Sequence, residues 1–342
     1  MEPVFALRRV AYLLEADNEP TFKVKAFRRA AAVIADLDPD RLASLARAHR
    51  LEDLAGIGKT TAQVITEAVA GDTPSYLAHL EAGRPPPPAG EVGRLFGALV
   101  GDCHSHSDWS DGGSPIAEMA EAARDRGLAY LVLTDHSPRL TVAHGLSPDR
   151  LRRQLEIVAE VNDALAPFRL LTGIEVDILE DGSLDQDPEL LGALDLVVAS
   201  VHSKLRMEAR PMTARMLAAI ESPHTDVLGH CTGRLIAGRG RPPSAFDADA
   251  VFAACARTGT AVEINSRPDR RDPPKELLHL AIEAGCLFAI DSDAHAPGQL
   301  EWPVNGCEQA VEAEVPTERV VNTWAVDRLL SWTARHGSGT AA

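Results

Sequence analysis

Leu99-Val100-Gly101-Asp102-Cys103-His104-Ser105-His106-Ser107-Asp108-Trp109-Ser110-Asp111-Gly112 is an apolar run that gives way to an H-x-H pair and then to acids and a glycine. The pattern recurs along the chain. Thr134-Asp135-His136 follows Tyr130–Leu133, Ser200-Val201-His202 follows Leu194–Ala199, and Asp291-Ser292-Asp293-Ala294-His295 follows Cys286–Ile290. Gly173-Ile174-Glu175 and Leu228-Gly229-His230 end similar runs. Strands are expected near 98–103, 129–134, 169–175, 194–201, 225–230, 260–265 and 286–292. Amphipathic stretches near 115–127, 148–165, 187–193, 210–221, 247–258 and 274–284 fit helices between them. Alternating β and α units imply a parallel sheet with crossover helices. In a closed barrel of that kind, functional groups gather at the C-terminal ends of the strands, which is where every one of these His and acidic residues falls.

A lone His on an apolar strand is usually a hydrogen-bonded core residue, and His49, His79, His279 and His336, in helical contexts, are read so, with His224 in a turn. His104, His106, His136, His202, His230 and His295 are different, because six imidazoles stand at strand ends beside acids. With Asp111, Glu175 and Asp293 they exceed what one four-coordinate ion can use. Imidazole and carboxylate without thiolate suit zinc, manganese or iron, so two or three divalent ions are expected. Asp102, Asp135 and Asp291 are expected to orient imidazoles, with capping of loop amides as the other reading of Asp291.

The series H-x-H…S-D-G, T-D-H, G-x-E, S-V-H, G-H and D-x-D-A-H, spanning Leu99 to Trp332, resembles the PHP (polymerase and histidinol phosphatase) family. Within that family it is most similar to the module at the C-terminus of bacterial family X DNA polymerases. Gly173–Gly182 (GIEVDILEDG), Ser200–Ser203 (SVHS), Gly229–Arg234 (GHCTGR), Glu263–Asn265 (EIN) and Asp293–His295 carry that likeness. The resemblance implies an α/β fold, a distorted seven-stranded (β/α)7 TIM-like barrel, with three divalent metal ions (Zn2+, Mn2+ or Fe2+) and phosphoester hydrolysis. Carried across residue by residue, it implies one ion on His104, His106, Glu175 and Asp293. Glu175 would bridge to a second ion on His202 and His230, and Asp111, His136 and His295 would hold a third. Asp108 is the alternative to Asp111.

Charge builds on the phosphoryl oxygens and the leaving group during such hydrolysis, so cationic stabilisation is the main resource. Arg234, just beyond His230, is the expected phosphate clamp because a guanidinium binds bidentately. Lys204 and Arg267 are second choices, and His144 is a candidate substrate contact. Glu175 and Asp293 complete the expected catalytic set.

Residues 1–82 read as short helices, with Val4, Leu7, Val10, Ala11 and Leu14 at helical spacing. Leu51–Ile65 is a helix, a Gly56-Ile57-Gly58 turn and a second helix, resembling the helix-hairpin-helix of DNA-binding proteins. The whole segment is similar to the lyase domain of family X polymerases. Glycines at the turn let backbone N–H groups approach a phosphate without reading base sequence. Lys23, Lys25, Arg28, Arg29 and Lys59 are expected to add cationic contacts, making DNA the partner of this domain. In the resembled family a lysine on the second hairpin helix is the lyase nucleophile; Val64 stands there. Residues 83–94, with Pro85–Pro88, read as a stiff linker, and 95–336 as the barrel.

The net charge is −16, and residues 1–84 hold 11 Lys and Arg against 12 Asp and Glu, so the deficit lies in the barrel, whose rim is expected to be acidic. The five cysteines are odd in number and without C-x-x-C spacing, which argues for reduced thiols in a cytoplasmic protein. No apolar stretch suits a membrane span; oligomeric state is left open. Three functions compete: hydrolysis at DNA ends (3′-5′ exonuclease or 3′-phosphatase), a small-molecule phosphomonoesterase of the histidinol-phosphatase type, and a catalytically idle DNA-binding scaffold.

Overall fold

Leu7, Val10, Ala11 and Leu14 form the buried stripe of α1 (Pro3–Ala16), whose first amides are capped by the Glu2 carboxylate. Val24, Phe27, Ala30, Ala31 and Ile34 do the same for α2 (Thr21–Ala35). With α3 (Pro39–Arg47), α4 (Lys59–Val69) and α5 (Ser75–Ala82) they enclose one apolar core that includes Ile57, Val64, Ile65 and Leu77. In this computed structural model, which describes residues 1–337, these helices belong to a first compact unit, Met1–Pro87.

A second unit starts at Pro88. The stretch read as a linker is shorter than expected: α6 (Gly90–Ala98) is helical, and its Leu95, Val92 and Phe96 pack into the core of the barrel unit. The apolar spacing of those three residues was obscured by the four prolines before them. Then come β1 (Gly101–Ser105), α7 (Ile116–Asp125), β2 (Tyr130–Leu133), α8 (Pro148–Leu165), β3 (Arg169–Asp177), α9 (Pro188–Leu191), β4 (Leu196–Ser200), α10 (Ala209–Ile220), β5 (Val227–Leu228), α11 (Ala248–Thr258), β6 (Ala261–Asn265), α12 (Lys275–Ala284), β7 (Leu287–Asp291), α13 (Pro303–Glu312) and α14 (Val326–Gly337). The strands lie in the order β1 to β7, every neighbouring pair parallel. Their near-continuous apolar character is what burial on both faces demands.

Between β1 and β7 a lone backbone bridge and side-chain hydrogen bonds take the place of a continuous ladder. Ser105 and Ala294 form an isolated bridge, Asp291 accepts from the Cys103 amide at 2.9 Å, and Asn322 links the Ile290 amide to the Gly101 carbonyl. The result is a barrel closed by a polar seam. Cys103, Val132, Leu171, Val198, Val227, Ala261 and Ala289 fill its lower interior together with Val321, Trp324, Leu329 and Trp332. The C-terminal segment therefore plugs the bottom, and the top is left for polar groups. No helix among the described residues is long and apolar enough to cross a membrane, and all five cysteines are free and buried.

Candidate metal centre

Strand side chains alternate between faces, so the inward series can be followed upward from the apolar plug. Val132 leads to Thr134 and His136, Leu171 to Gly173 and Glu175, Val198 to Ser200 and His202, and Ala289 to Asp291 and Asp293. On β1 the pairing register shifts between Asp102 and Ser105, and beyond that irregularity His104 and His106 join the inward set. Gly173 is required by crowding: a Cβ there would lie 2.6 Å from Val132 Cγ1 and 2.9 Å from the Leu196 carbonyl.

Glu175 is the hub. Its Oε1 lies 2.8 Å from His230 Nε2 and 3.2 Å from His202 Nε2. Its Oε2 lies 2.9 Å from His136 Nδ1, 3.4 Å from His104 Nε2 and 3.6 Å from His106 Nε2. Asp293 Oδ1 is 3.4 Å from His106 Nε2. Two ligands each at zinc-binding distance from one ion stand about 3.0–3.5 Å apart, the separation seen here. His104 Nε2, both nitrogens of His106, and Nδ1 of His136 and His230 are buried without a hydrogen-bond partner from the protein, which buried polar atoms rarely tolerate. The donor set therefore fits divalent cations. Asp293 is also held at φ 51°, in the left-handed region, the kind of backbone strain that collects at functional sites.

Asp111, not Asp108, reaches the imidazoles. Its Oδ1 is 3.4 Å from His136 Nε2 and 3.3 Å from His295 Nε2, and with His106 these form a second candidate group. His106 and His136 thus stand between groups, as Glu175 does. The electrostatics follow. Burial, then His295 and His136, push the His106 pKa down to about 3. Burial opposes protonation of His136 as well, yet Glu175 and Asp111 raise its pKa to about 10. Against the effect of burial, the facing imidazoles hold Glu175 well below the usual carboxylate range, and Arg267 with His104 does the same for Asp293.

The carboxylates that orient imidazoles are not the expected ones. Asp102 accepts from the His104 and Ser292 amides, Asp291 from Cys103 and Asn322, and Asp135 from Ser107, Ser110 and Gln154. All three brace loop backbone and polar side chains. Glu263 Oε1 instead lies 2.6 Å from His104 Nδ1, and Asp177 Oδ1 lies 2.7 Å from His202 Nδ1. Both sit two residues from another inward group, Glu263 from Asn265 and Asp177 from Glu175, so strand alternation was the signal that marks them. Glu263→Gln should weaken metal binding by about 10- to 100-fold with the stoichiometry at saturation unchanged. Titration of the stripped protein with Mn2+ or Zn2+ checks this, and unaltered affinity would speak against the role.

Arg234 is not poised as a phosphate clamp. Its guanidinium donates to the carbonyls of Arg270 and Arg271 and ties two loops together. Arg267 Nη1 lies 3.2 Å from His295 Nδ1 and 3.8 Å from Asp293 Oδ1, and Arg270 Nε lies 3.5 Å from Asp293 Oδ2. Arg270, which the sequence reading passed over, keeps Nε and Nη1 buried without a hydrogen-bond partner. Lys204 is exposed with Glu180 at 3.9 Å. His144 is exposed at φ 56°, and nothing brings its ring to the cluster.

In the first unit, Gly56 adopts φ +101°, and a Cβ there would meet Arg29 Nε at 2.6 Å. Gly58 caps α4, with its N–H donating to Thr61 Oγ1 at 2.9 Å. The cationic run is partly spent: Lys23 pairs with Glu19 and Arg28 with the buried Glu15. Lys25, Arg29 and Lys59 remain exposed around it. Val64 is fully buried in the core, with no amine for Schiff-base chemistry. Borohydride reduction with an abasic-site oligonucleotide should therefore leave no covalent adduct. An adduct mapping to Lys23, Lys25 or Lys59 would show a substitute nucleophile.

Residues 102–267 match the model of the PHP domain, and residues 2–74 match that of a helix-hairpin-helix domain. The chain carries a PHP domain behind a helix-hairpin-helix domain. It is 39% identical over 227 residues to the DNA polymerase/3'-5' exonuclease PolX of Bacillus subtilis, a match that covers 66% of this chain and 40% of that protein. The PHP-domain chain thus spans less than half of that relative's length. It is 29% identical over 240 residues to a "Probable phosphatase" of Thermoanaerobacter, covering 66% of this chain and 91% of the other. A further "Probable phosphatase", YcdX of Escherichia coli, is 27% identical over 256 residues and covered to 96%. Among solved structures, the histidinol phosphate phosphatase of Lactococcus lactis matches with a TM-score of 0.45 and 16% identity, over 63% of this chain and 94% of that one.

Proposed function

We propose that this protein is a metal-dependent phosphoesterase that acts on DNA ends in the cytoplasm. The observation that carries the reading is Glu175, buried at 1% exposure and ringed by five imidazoles, with two arginines against the adjoining Asp293. Three ions are assigned to the centre: one on His104, His106, Glu175 and Asp293, one on Glu175, His202 and His230, and one on Asp111, His136 and His295. Zn2+, Mn2+ or Fe2+ so held would polarise the phosphoryl oxygens and acidify a water nucleophile. Glu175 keeps two ligand groups at a fixed separation. Glu263 and Asp177 set the ring orientation of His104 and His202. Arg267 and Arg270 face the place where phosphoryl oxygens would lie and counter the charge that develops there, and Asn265 holds Asp293 in place at 3.0 Å. Lys25, Arg29, Lys59 and the Gly56–Gly58 turn are assigned to sequence-independent DNA phosphate contacts.

The PolX relative supports DNA as substrate, as does the attached hairpin domain. The high coverage of the probable phosphatases favours a second reading, a small-molecule phosphomonoesterase. Product analysis on p-nitrophenyl phosphate, histidinol phosphate and end-labelled DNA separates the two, and hydrolysis of the small esters alone would overturn the DNA reading. Truncation adds a further check. Because α6 belongs to the barrel unit, the cut should fall after Pro87. Removing residues 1–87 should raise the Michaelis constant for DNA and flatten its salt dependence while turnover of p-nitrophenyl phosphate barely moves. Equal DNA cleavage by both forms across a salt series would remove the hairpin domain from the account.

A further inference from the structure

The acidic balance of the barrel unit is not shared around its upper rim. The loop after β4, up to α10, holds Lys204 and Arg206 against Glu208. The loop after β5, up to α11, holds Arg234, Arg239 and Arg241 against Asp247. The loop after β6, up to α12, sets Arg267, Arg270 and Arg271 against Asp269 and Asp272. The loops after β1 and β3 have the opposite sign, with Asp108 and Asp111 in one and Glu180, Asp181, Asp185 and Asp187 in the other. The expected acidic rim is therefore acidic on one side only. The other side is among the most basic stretches of a chain whose net charge is −16.

The three basic loops form one surface. A Cβ on Gly233 would lie 2.8 Å from Leu205 Cδ2, and Ser244 Oγ donates to the Leu205 carbonyl at 2.8 Å, joining the first loop to the second. The Ile236 amide donates to the Asp269 carbonyl at 2.7 Å, and Arg234 donates to the carbonyls of Arg270 and Arg271, joining the second to the third. Leu235 and Arg241 pair as an antiparallel bridge, with Gly238 and Gly240 at φ +65°. This hairpin presents Arg239 at its tip. Arg206 and Arg239 are exposed and pair with no acid among the described residues. The surface is also continuous with the metal centre. Its first loop leaves from His202, its second follows His230, and its third supplies Arg267 and Arg270, which lie 3.8 and 3.5 Å from Asp293.

We propose that these three loops are a track for a single strand of DNA, holding the phosphates that flank the one being hydrolysed. This rests on the DNA-end reading and deepens it. A small ester needs only the innermost arginines; cations at the hairpin tip and on the β4 loop have work to do only if the substrate extends along the rim. Guanidinium contacts to successive phosphates fit a backbone whose base sequence is not read. The strand is single because the deepest ligands are fully buried, with His104 and His106 at 0% exposure. A phosphate on a free strand can descend to them, whereas one within a paired helix is held away by its partner strand.

The test uses the full chain and a fluorescent eight-nucleotide single strand. Its linkages are phosphorothioates, which keep the backbone charge and slow hydrolysis so that the metal-loaded protein does not consume the strand, and Arg29→Glu with Lys59→Glu silences the hairpin domain. Onto this background Arg206→Glu/Arg239→Glu is compared with Arg152→Glu/Arg153→Glu, an equal charge change on the exposed face of α8. The track predicts that the first pair weakens binding by about tenfold or more and lowers the logarithmic salt slope by about 1.4, as expected for two lost single-strand phosphate contacts. The second pair should change binding by less than about twofold. In the otherwise unaltered chain, Arg206→Glu/Arg239→Glu should leave p-nitrophenyl phosphate turnover as it was. Equal effects of the two pairs, or none from the first, would overturn the track and leave the DNA-end reading standing if the unaltered chain still shortens or dephosphorylates labelled DNA. Selective weakening in a protein that hydrolyses no DNA would do the reverse, keeping the binding surface and removing the DNA-end activity.

Discussion

Glu175→Gln is expected to lose two bound ions together and to reduce phosphoester turnover by more than about 10^3-fold. The substitution keeps the shape of the side chain and removes the charge that five imidazoles face. Oε1 serves His230 and His202, Oε2 serves His136, His104 and His106, so both candidate groups that include Glu175 depend on it. The fold should persist, because the barrel interior below is filled by apolar side chains that the change does not touch. Elemental analysis of dialysed protein reads the metals, and p-nitrophenyl phosphate reads the turnover. A full metal complement in the variant would dismiss the bridging assignment.

Arg270→Met should lower the kcat/KM for any phosphate ester by about 10^2- to 10^3-fold while leaving the metal content intact. Methionine keeps much of the aliphatic stem and deletes the guanidinium. Arg270 is no metal ligand, because a guanidinium only donates; its Nε lies 3.5 Å from Asp293 Oδ2, and its Nε and Nη1 are buried without a hydrogen-bond partner from the protein. Buried donors without an acceptor are costly, and a phosphoryl oxygen would satisfy them. Arg234→Met is the control: its guanidinium is committed to loop carbonyls, so its loss should show in thermal stability more than in kcat/KM. Full activity in Arg270→Met would end this role.

The barrel and the gathering of its candidate ligands were legible because period-2 alternation and strand-end position coincide: His136, Glu175, His202 and Asp293 all continue an inward series that begins in the apolar plug. The same alternation marks Asp177 and Glu263, yet both lie inside apolar runs, where attention to strand ends alone overlooks them. Arg234 misled through proximity in sequence. Gly233 takes φ +60° between it and His230, and the arginine bonds the next loop rather than the centre. The start of the barrel was hidden for a related reason, because Pro85–Pro88 announce a spacer and α6 follows at once. The basic side of the rim was invisible in a net charge, which sums over loops of opposite sign that folding keeps apart.

If this cluster binds divalent ions in order to hydrolyse phosphoesters, metal and activity must return together when the stripped protein is titrated. The full chain is treated with a chelator, dialysed, and titrated with Mn2+ or Zn2+ while bound metal and phosphate release from p-nitrophenyl phosphate are measured together. The stripped chain should show no turnover, with recovery that rises with occupancy and a plateau near three ions per chain. Turnover that survives stripping, or full metal loading without any hydrolysis, would contradict this role of the cluster.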